Sequence, residues 1–232
     1  MERWVKKRLI IHIGILIIAA IVIAVFYSAS QGEYKETIQD RISTDECYEN
    51  IVSITFDDGP NHKTTNRLLD GLKERGVNAA FFLVGELAER NPETVKRMSD
   101  EGHTIGNHTY SHINLGEVNF DNAINEIKKT NKVIEDITGE TVKYIRPPYG
   151  IYSDKMLNSC SLTPVLWTVD PDDWKTTNAG NVVKYVVDNV RCGDIILLHD
   201  IYDSSVTAAL EIIDKLTLKG FRFVTIEEII LD

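Results

Sequence analysis

The chain has 232 residues, 43% of them hydrophobic, and a formal charge of −10. That length is enough to bury a core in one large domain or two small ones, and the acidic balance excludes a typical nucleic-acid binder, whose affinity rests on Lys and Arg neutralising phosphates. Cys47, Cys160 and Cys192 are too few and too scattered for a disulfide framework or a thiolate metal cluster. Cys160 and Cys192 flank apolar runs and read as small core residues, while Cys47 has no assigned partner.

Arg3, Lys6, Lys7 and Arg8 precede an almost unbroken apolar run over residues 9–27. Nineteen helical residues rise roughly 28 Å, close to the hydrocarbon thickness of a bilayer. The expected organisation is a basic cytoplasmic flank (1–8), a transmembrane signal-anchor (9–27), a polar linker (28–48) and an outward-facing domain (49–232). A cleavable signal peptide is the competing reading, because Ser28-Ala29-Ser30 offers small residues for cleavage and would release the domain as a secreted protein. The apolar run exceeds the 7–15 residues of a usual signal core, which favours the anchor.

From residue 51 onward the chain repeats one rhythm: an apolar strand-like run, a polar loop, a helix of period 3.6, then a glycine. Gly76, Gly102, Gly139 and Gly220 each mark a helix-to-strand joint as left-handed caps. Strands are expected over 51–56, 77–84, 103–106, 141–146, 164–169, 195–199 and 221–225, with helices over 64–75, 92–101, 120–138, 181–190 and 206–218. The fold class is α/β with about seven mainly parallel strands. Periodicity does not separate a barrel from an open sheet, but in both the functional groups gather at the carboxyl ends of strands.

Five polar clusters stand at such ends. Asp57-Asp58-Gly59-Pro60 closes the first strand with two carboxylates and a turn signal. Asn107-His108-Thr109-Tyr110-Ser111-His112 brings two imidazoles onto one face if the backbone takes a helical turn. Together with one carboxylate, from Asp57 or Asp58, they make a two-His, one-Asp set with an open position, the catalytic zinc pattern. In Tyr144-Ile145-Arg146-Pro147-Pro148-Tyr149-Gly150 the prolines fix the backbone, and Arg146 offers a planar fork for a carboxylate. Asp170-Pro171-Asp172-Asp173-Trp174 sets a sugar-walling Trp beside acids, and Leu197-Leu198-His199-Asp200 ends a buried strand on histidine.

In this order the five clusters resemble the motifs of the polysaccharide deacetylases of carbohydrate esterase family four, over roughly residues 48–232. The resemblance implies a distorted (β/α) barrel preceded by the transmembrane helix. It implies metal ligation, most simply of Zn2+ with Co2+ as an alternative, by Asp58, His108 and His112. It makes Asp57 the general base and Arg146 its holder, His199 the general acid and Asp173 the group that tunes it. The Tyr149 backbone N–H would help form an oxyanion hole, and Pro147, Trp174 and Leu197 would shape the substrate site.

The expected activity is removal of N-acetyl groups from N-acetylglucosamine units of an extracellular polysaccharide, with peptidoglycan the substrate that location suggests. The setting is a bacterial cell membrane, with the domain outside and no nucleic-acid partner. An O-acetyl xylan or glycan esterase, and a non-catalytic glycan-binding surface protein, are the alternatives.

Overall fold

The computed structural model describes residues 50–231. The expected anchor and linker, residues 1–48, lie outside the described residues, and among those described no helix is long and apolar enough to cross a membrane. Strands β1 (Ile51–Asp57), β2 (Ala80–Leu83), β3 (Thr104–Asn107), β4 (Tyr144–Ile145), β5 (Thr163–Pro164) and β6 (Asp194–His199) form a parallel sheet in the order β5-β4-β3-β2-β1-β6. A seventh, β7 (Arg222–Phe223), pairs with the start of β1. Around them run α1 (Thr64–Arg75), α2 (Gly85–Arg90), α3 (Pro92–Asp100), α4 (Phe120–Thr138), α5 (Asp154–Asn158), α6 (Ala179–Asn189), α7 (Asp203–Leu218) and α8 (Ile226–Leu231).

The sheet curls into a half-barrel of parallel strands. Its edges approach where Val169, just beyond β5, bridges to Ile196 of β6. On β1 the period of two divides the side chains between two environments. Val52, Ile54 and Phe56 join the main apolar cluster with Leu68, Leu69 and Leu72 of α1 and Ile212 and Ile213 of α7. Each fully buried Leu or Ile contributes about 1.5–3 kcal/mol. The alternate residues Ser53, Thr55 and Asp57 are buried as well, with Thr55 and Asp57 meeting Arg146 inside the curl.

The long helix α4 shows how local sequence sets an element. Asn119 caps it by accepting the Asn122 N–H at 2.9 Å, and Ala123, Ile127, Thr130 and Ile134 supply its buried stripe. It stops at Gly139, whose φ is 79°. All four glycines expected as caps have positive φ.

The strand expected over 164–169 contracts to Thr163–Pro164. Pro164 has no N–H to donate, and the carbonyls of Val165 and Leu166 are taken by the Arg146 guanidinium at 2.9 and 3.1 Å. Helices α2, α5 and α8 were not expected; each is five or six residues long, too short for a readable period. The cysteine reading needs one correction. Cys160 is a free thiol packed on the core, but Cys192 is disulfide-bonded.

Gly59, in the turn after β1, lies so close to the buried Asp200 carboxylate that a Cβ there would overlap it. Gly59→Ala is therefore expected to lower the unfolding free energy by about 1–3 kcal/mol, the usual cost of overpacking. Denaturant titration checks this, and the penalty should shrink in an Asp200→Ala background.

Candidate active site

The site begins where β1 ends. Asp57 pairs in register with Phe82 of β2 on one side and with His199 of β6 on the other, so the strands set an acid and an imidazole side by side. At Asp58 the backbone turns left-handed, with φ 70°, and its carboxylate leaves the strand direction. Asp58 Oδ1 lies 3.4 Å from His108 Nε2 and 3.1 Å from His112 Nε2.

The two histidines do not share a helical turn. They occupy an irregular loop with φ of 62° at Thr109 and 54° at His112, which corrects the expected spacing argument while keeping its outcome. His108 Nδ1 lies 2.5 Å from the Arg146 carbonyl oxygen. A carbonyl only accepts, so Nδ1 carries the proton and Nε2 turns a lone pair toward Asp58.

This donor set fits a metal ion. One ligand atom from each of Asp58, His108 and His112 lies within 4.8 Å of the others, and the buried Asp58 Oδ1 has no hydrogen-bond partner. Lone pairs converging on one point repel unless a cation lies between them, and without a metal ion a proton held on a facing imidazole takes that part. Two imidazoles and one carboxylate with an open side match a catalytic zinc site. Burial alone would raise the Asp58 pKa, but the facing imidazoles outweigh it and hold the carboxyl far below its usual range. Pairing with Asp58 raises the His112 pKa against the opposing effect of burial.

On one flank, Asp57 is gripped by Arg146. Nη1 of the guanidinium donates to Asp57 Oδ1 at 2.8 Å and to Thr55 Oγ1 at 2.7 Å. Arg146 has 0% exposure; burial pushes its pKa down and Asp57 opposes that. The second oxygen of Asp57 stays 3.8 Å from His108 Nε2. On the other flank, the buried Asp173 receives the His199 backbone N–H at 2.9 Å and its Nδ1 at 2.7 Å. Burial would lower the His199 pKa, yet Asp173, helped by Asp57 and Asp58, lifts it to about 9. His199 is then an imidazolium at neutral pH, with Nε2 3.9 Å from Asp58 Oδ2.

Asp57, Asp58, His108, His112 and His199 line a cleft of about 320 Å3, with Arg146 and Asp173 behind them. Leu197 forms part of its wall, and Tyr149 and Trp174 stand at the cleft, 65% and 51% exposed. Tyr149 meets the His112 ring edge-on at 5.3 Å, from a backbone with φ 61°. Pro147 does not join them: it is buried, outside the lining, beside the turn that carries Tyr149. The cleft also takes Trp167, Asp170, Asp172 and Tyr202, to which the motif reading gave no role. Tyr202 lies three residues beyond His199, its ring 6.5 Å from that imidazole, and carried no sequence signal of its own.

A family model described as polysaccharide deacetylase matches residues 45–165, just over half of the chain. The chain belongs to the polysaccharide deacetylase family. Among its family relatives, the peptidoglycan-N-acetylmuramic acid deacetylase PdaC of Bacillus subtilis is 41% identical over 179 residues. That match takes in 77% of this chain and 38% of the relative, so the chain spans well under half of that protein's length. A peptidoglycan-N-acetylglucosamine deacetylase of Bacillus cereus is 37% identical over 190 residues, covering 78% of this chain and 89% of the relative. The solved structure of PdaC superposes with a TM-score of 0.77 at 40% identity, over 81% of this chain and 93% of that one. The match to the family model ends before Asp173 and His199.

The His199 assignment is open to a direct titration. NMR of the metal-free chain should find its imidazole losing its proton near pH 9. Asp173→Asn, which removes the stabilising charge while burial remains, should move that midpoint down toward the neutral range.

Proposed function

We propose that this chain is a metal-dependent hydrolase that removes N-acetyl groups from N-acetylglucosamine residues of peptidoglycan. The observation that carries this reading is one cleft in which the Asp58, His108 and His112 ligand set lies between a carboxylate held by arginine and an imidazolium held by aspartate. The ion we expect is Zn2+, with Co2+ as an alternative, and when bound it supplies an acidified water and polarises the acetyl carbonyl.

The residues divide the remaining work. Asp57, with one oxygen fixed by Arg146, uses the other to take the proton of the attacking water. The Tyr149 backbone N–H donates to the developing oxyanion, a contribution of about 3–4 kcal/mol for such donors in other hydrolases. The water oxygen first bonds to the acetyl carbon, placing the carbonyl electron pair on oxygen, and the C–N bond breaks when that pair returns to re-form the carbonyl. His199 gives its proton to the departing amine, a poor leaving group otherwise, and acetate and a glucosamine unit result. Donation needs the protonated ring, so a His199 pKa of about 9 keeps it in the active form through neutral pH. Trp174 and Leu197 shape the sugar and acetyl contacts.

The substrate reading draws on the relatives, which are named for N-acetylglucosamine and N-acetylmuramic acid in peptidoglycan. For location we propose a single-pass membrane protein with this domain outside. Support comes from the basic flank, the apolar run over residues 9–27 and the disulfide at Cys192, a bond typical of oxidising compartments.

Acetate released from purified peptidoglycan, with muropeptide masses read alongside, tests the proposal. Release should stop with a chelator and return with Zn2+, and Asp57→Asn should lower turnover by about 10²–10⁴-fold. Release that ignores the chelator contradicts the mechanism. Products still acetylated on nitrogen and stripped of O-acetyl groups would make the chain an esterase.

A further inference from the structure

We propose that Glu126 is a positioning residue for metal binding. From α4 it clamps the backbone between His108 and His112 in the shape that turns both imidazoles toward Asp58. This inference rests on the reading of Asp58, His108 and His112 as a metal site.

The loop needs such a clamp. Thr109 and His112 adopt positive φ without being glycine, a conformation that persists only when the surroundings enforce it. Its backbone groups are held from two sides. On the carbonyl side, Gly85 N–H donates to the Thr109 oxygen and Glu86 N–H to the Tyr110 oxygen, both at 2.9 Å. On the amide side, Thr109 N–H donates to Asn107 Oδ1 at 2.7 Å. The next two amides, of Tyr110 and Ser111, both donate to Glu126 Oε2 at 3.0 and 2.8 Å. Ser111 Oγ adds a bond to Glu126 Oε1 at 2.9 Å.

A carboxylate suits this position because it only accepts, so three donors converge on it without conflict. Glutamine would keep one acceptor oxygen for the two amides and set its NH2 group against the Ser111 hydroxyl, which can turn to accept it, so it should hold the loop nearly as well. Glu126 sits next to Ile127, in the buried stripe of α4, and is itself half-buried. Its side chain is thereby fixed by a rigid element rather than by the loop it holds. Asn107 is tied to the same helix through Nδ2 bonds to the Ile127 carbonyl at 2.8 Å and to Asn131 Oδ1 at 2.6 Å. Glu126 touches no ligand atom and acts through the backbone alone. Groups of this kind orient metal ligands, and losing one typically costs 10–100-fold in affinity.

The test titrates the full chain with Zn2+ against a chromophoric chelator, for the native sequence, Glu126→Ala, Glu126→Gln and the exposed control Lys128→Ala. Circular dichroism of each metal-free protein is recorded alongside. Glu126→Ala should weaken Zn2+ binding by 10–100-fold, Glu126→Gln by less and Lys128→Ala not at all. Saturating Zn2+ should restore most of the turnover of Glu126→Ala, which a residue acting on substrate would not allow. If the native chain binds no Zn2+, the metal-site reading fails and this inference falls with it. If the native chain binds and both Glu126 variants bind equally tightly, the clamp is wrong while the site stands. Should Glu126→Ala fail to fold, Glu126→Leu, which keeps the helix and removes both acceptor oxygens, takes its place, and native-like affinity there overturns the proposal.

Discussion

The guanidinium of Arg146, with no exposed surface, is the constraint on which the rest of the site depends. A buried cation costs several kcal/mol unless it is paired and its donors are used. Here they reach Asp57, Thr55 and the carbonyls of Val165 and Leu166, and the fork rests 4.2 Å from the centre of the Phe82 ring. Each of these bonds shapes something else. Asp57 is pinned at the end of β1 and the carbonyls of Val165 and Leu166 are held on the guanidinium, while the residue's own carbonyl orients His108. Removing either charge would strand the other in the interior, a loss of about 3–5 kcal/mol for a broken buried pair.

Parallel register then sets the chemistry around that centre. Because Asp57 and His199 are neighbours across β1 and β6, a carboxylate and an imidazole face one cleft without any loop having to bring them together. Their environments differ in kind. Asp57 is held by a cation and His199 by an anion. Between them the histidine loop faces Asp58, at the carboxyl ends of the strands where parallel sheets assemble their sites.

Much of this could be read in the sequence, and the exceptions share a cause. Alternation of strand and helix, and the glycines ending α1 and α4, are local signals and survived folding. The five polar clusters converged because strand ends in a parallel sheet converge. The early end of β5 was hidden because it depends on Arg146, whose bonds to that segment span about 20 residues of sequence. The shape of the histidine loop was hidden for the same reason, since Glu126 holds it from 15 and 16 residues away. Pro147 looked like a substrate contact from its place in the motif, but it is buried behind the turn it stiffens. Tyr202 and Trp167 reach the cleft through tertiary packing, which no spacing rule encodes.

The central claim is that the loop and the first strand end together build one cation site, with Asp57 remaining on Arg146 beside it. The most direct measurement is anomalous diffraction at the zinc edge from crystals of this protein grown with Zn2+. The expected result is one strong peak bound by the Asp58 carboxylate and the Nε2 atoms of His108 and His112. No peak at those three atoms, or a strong peak held by other residues, would contradict it.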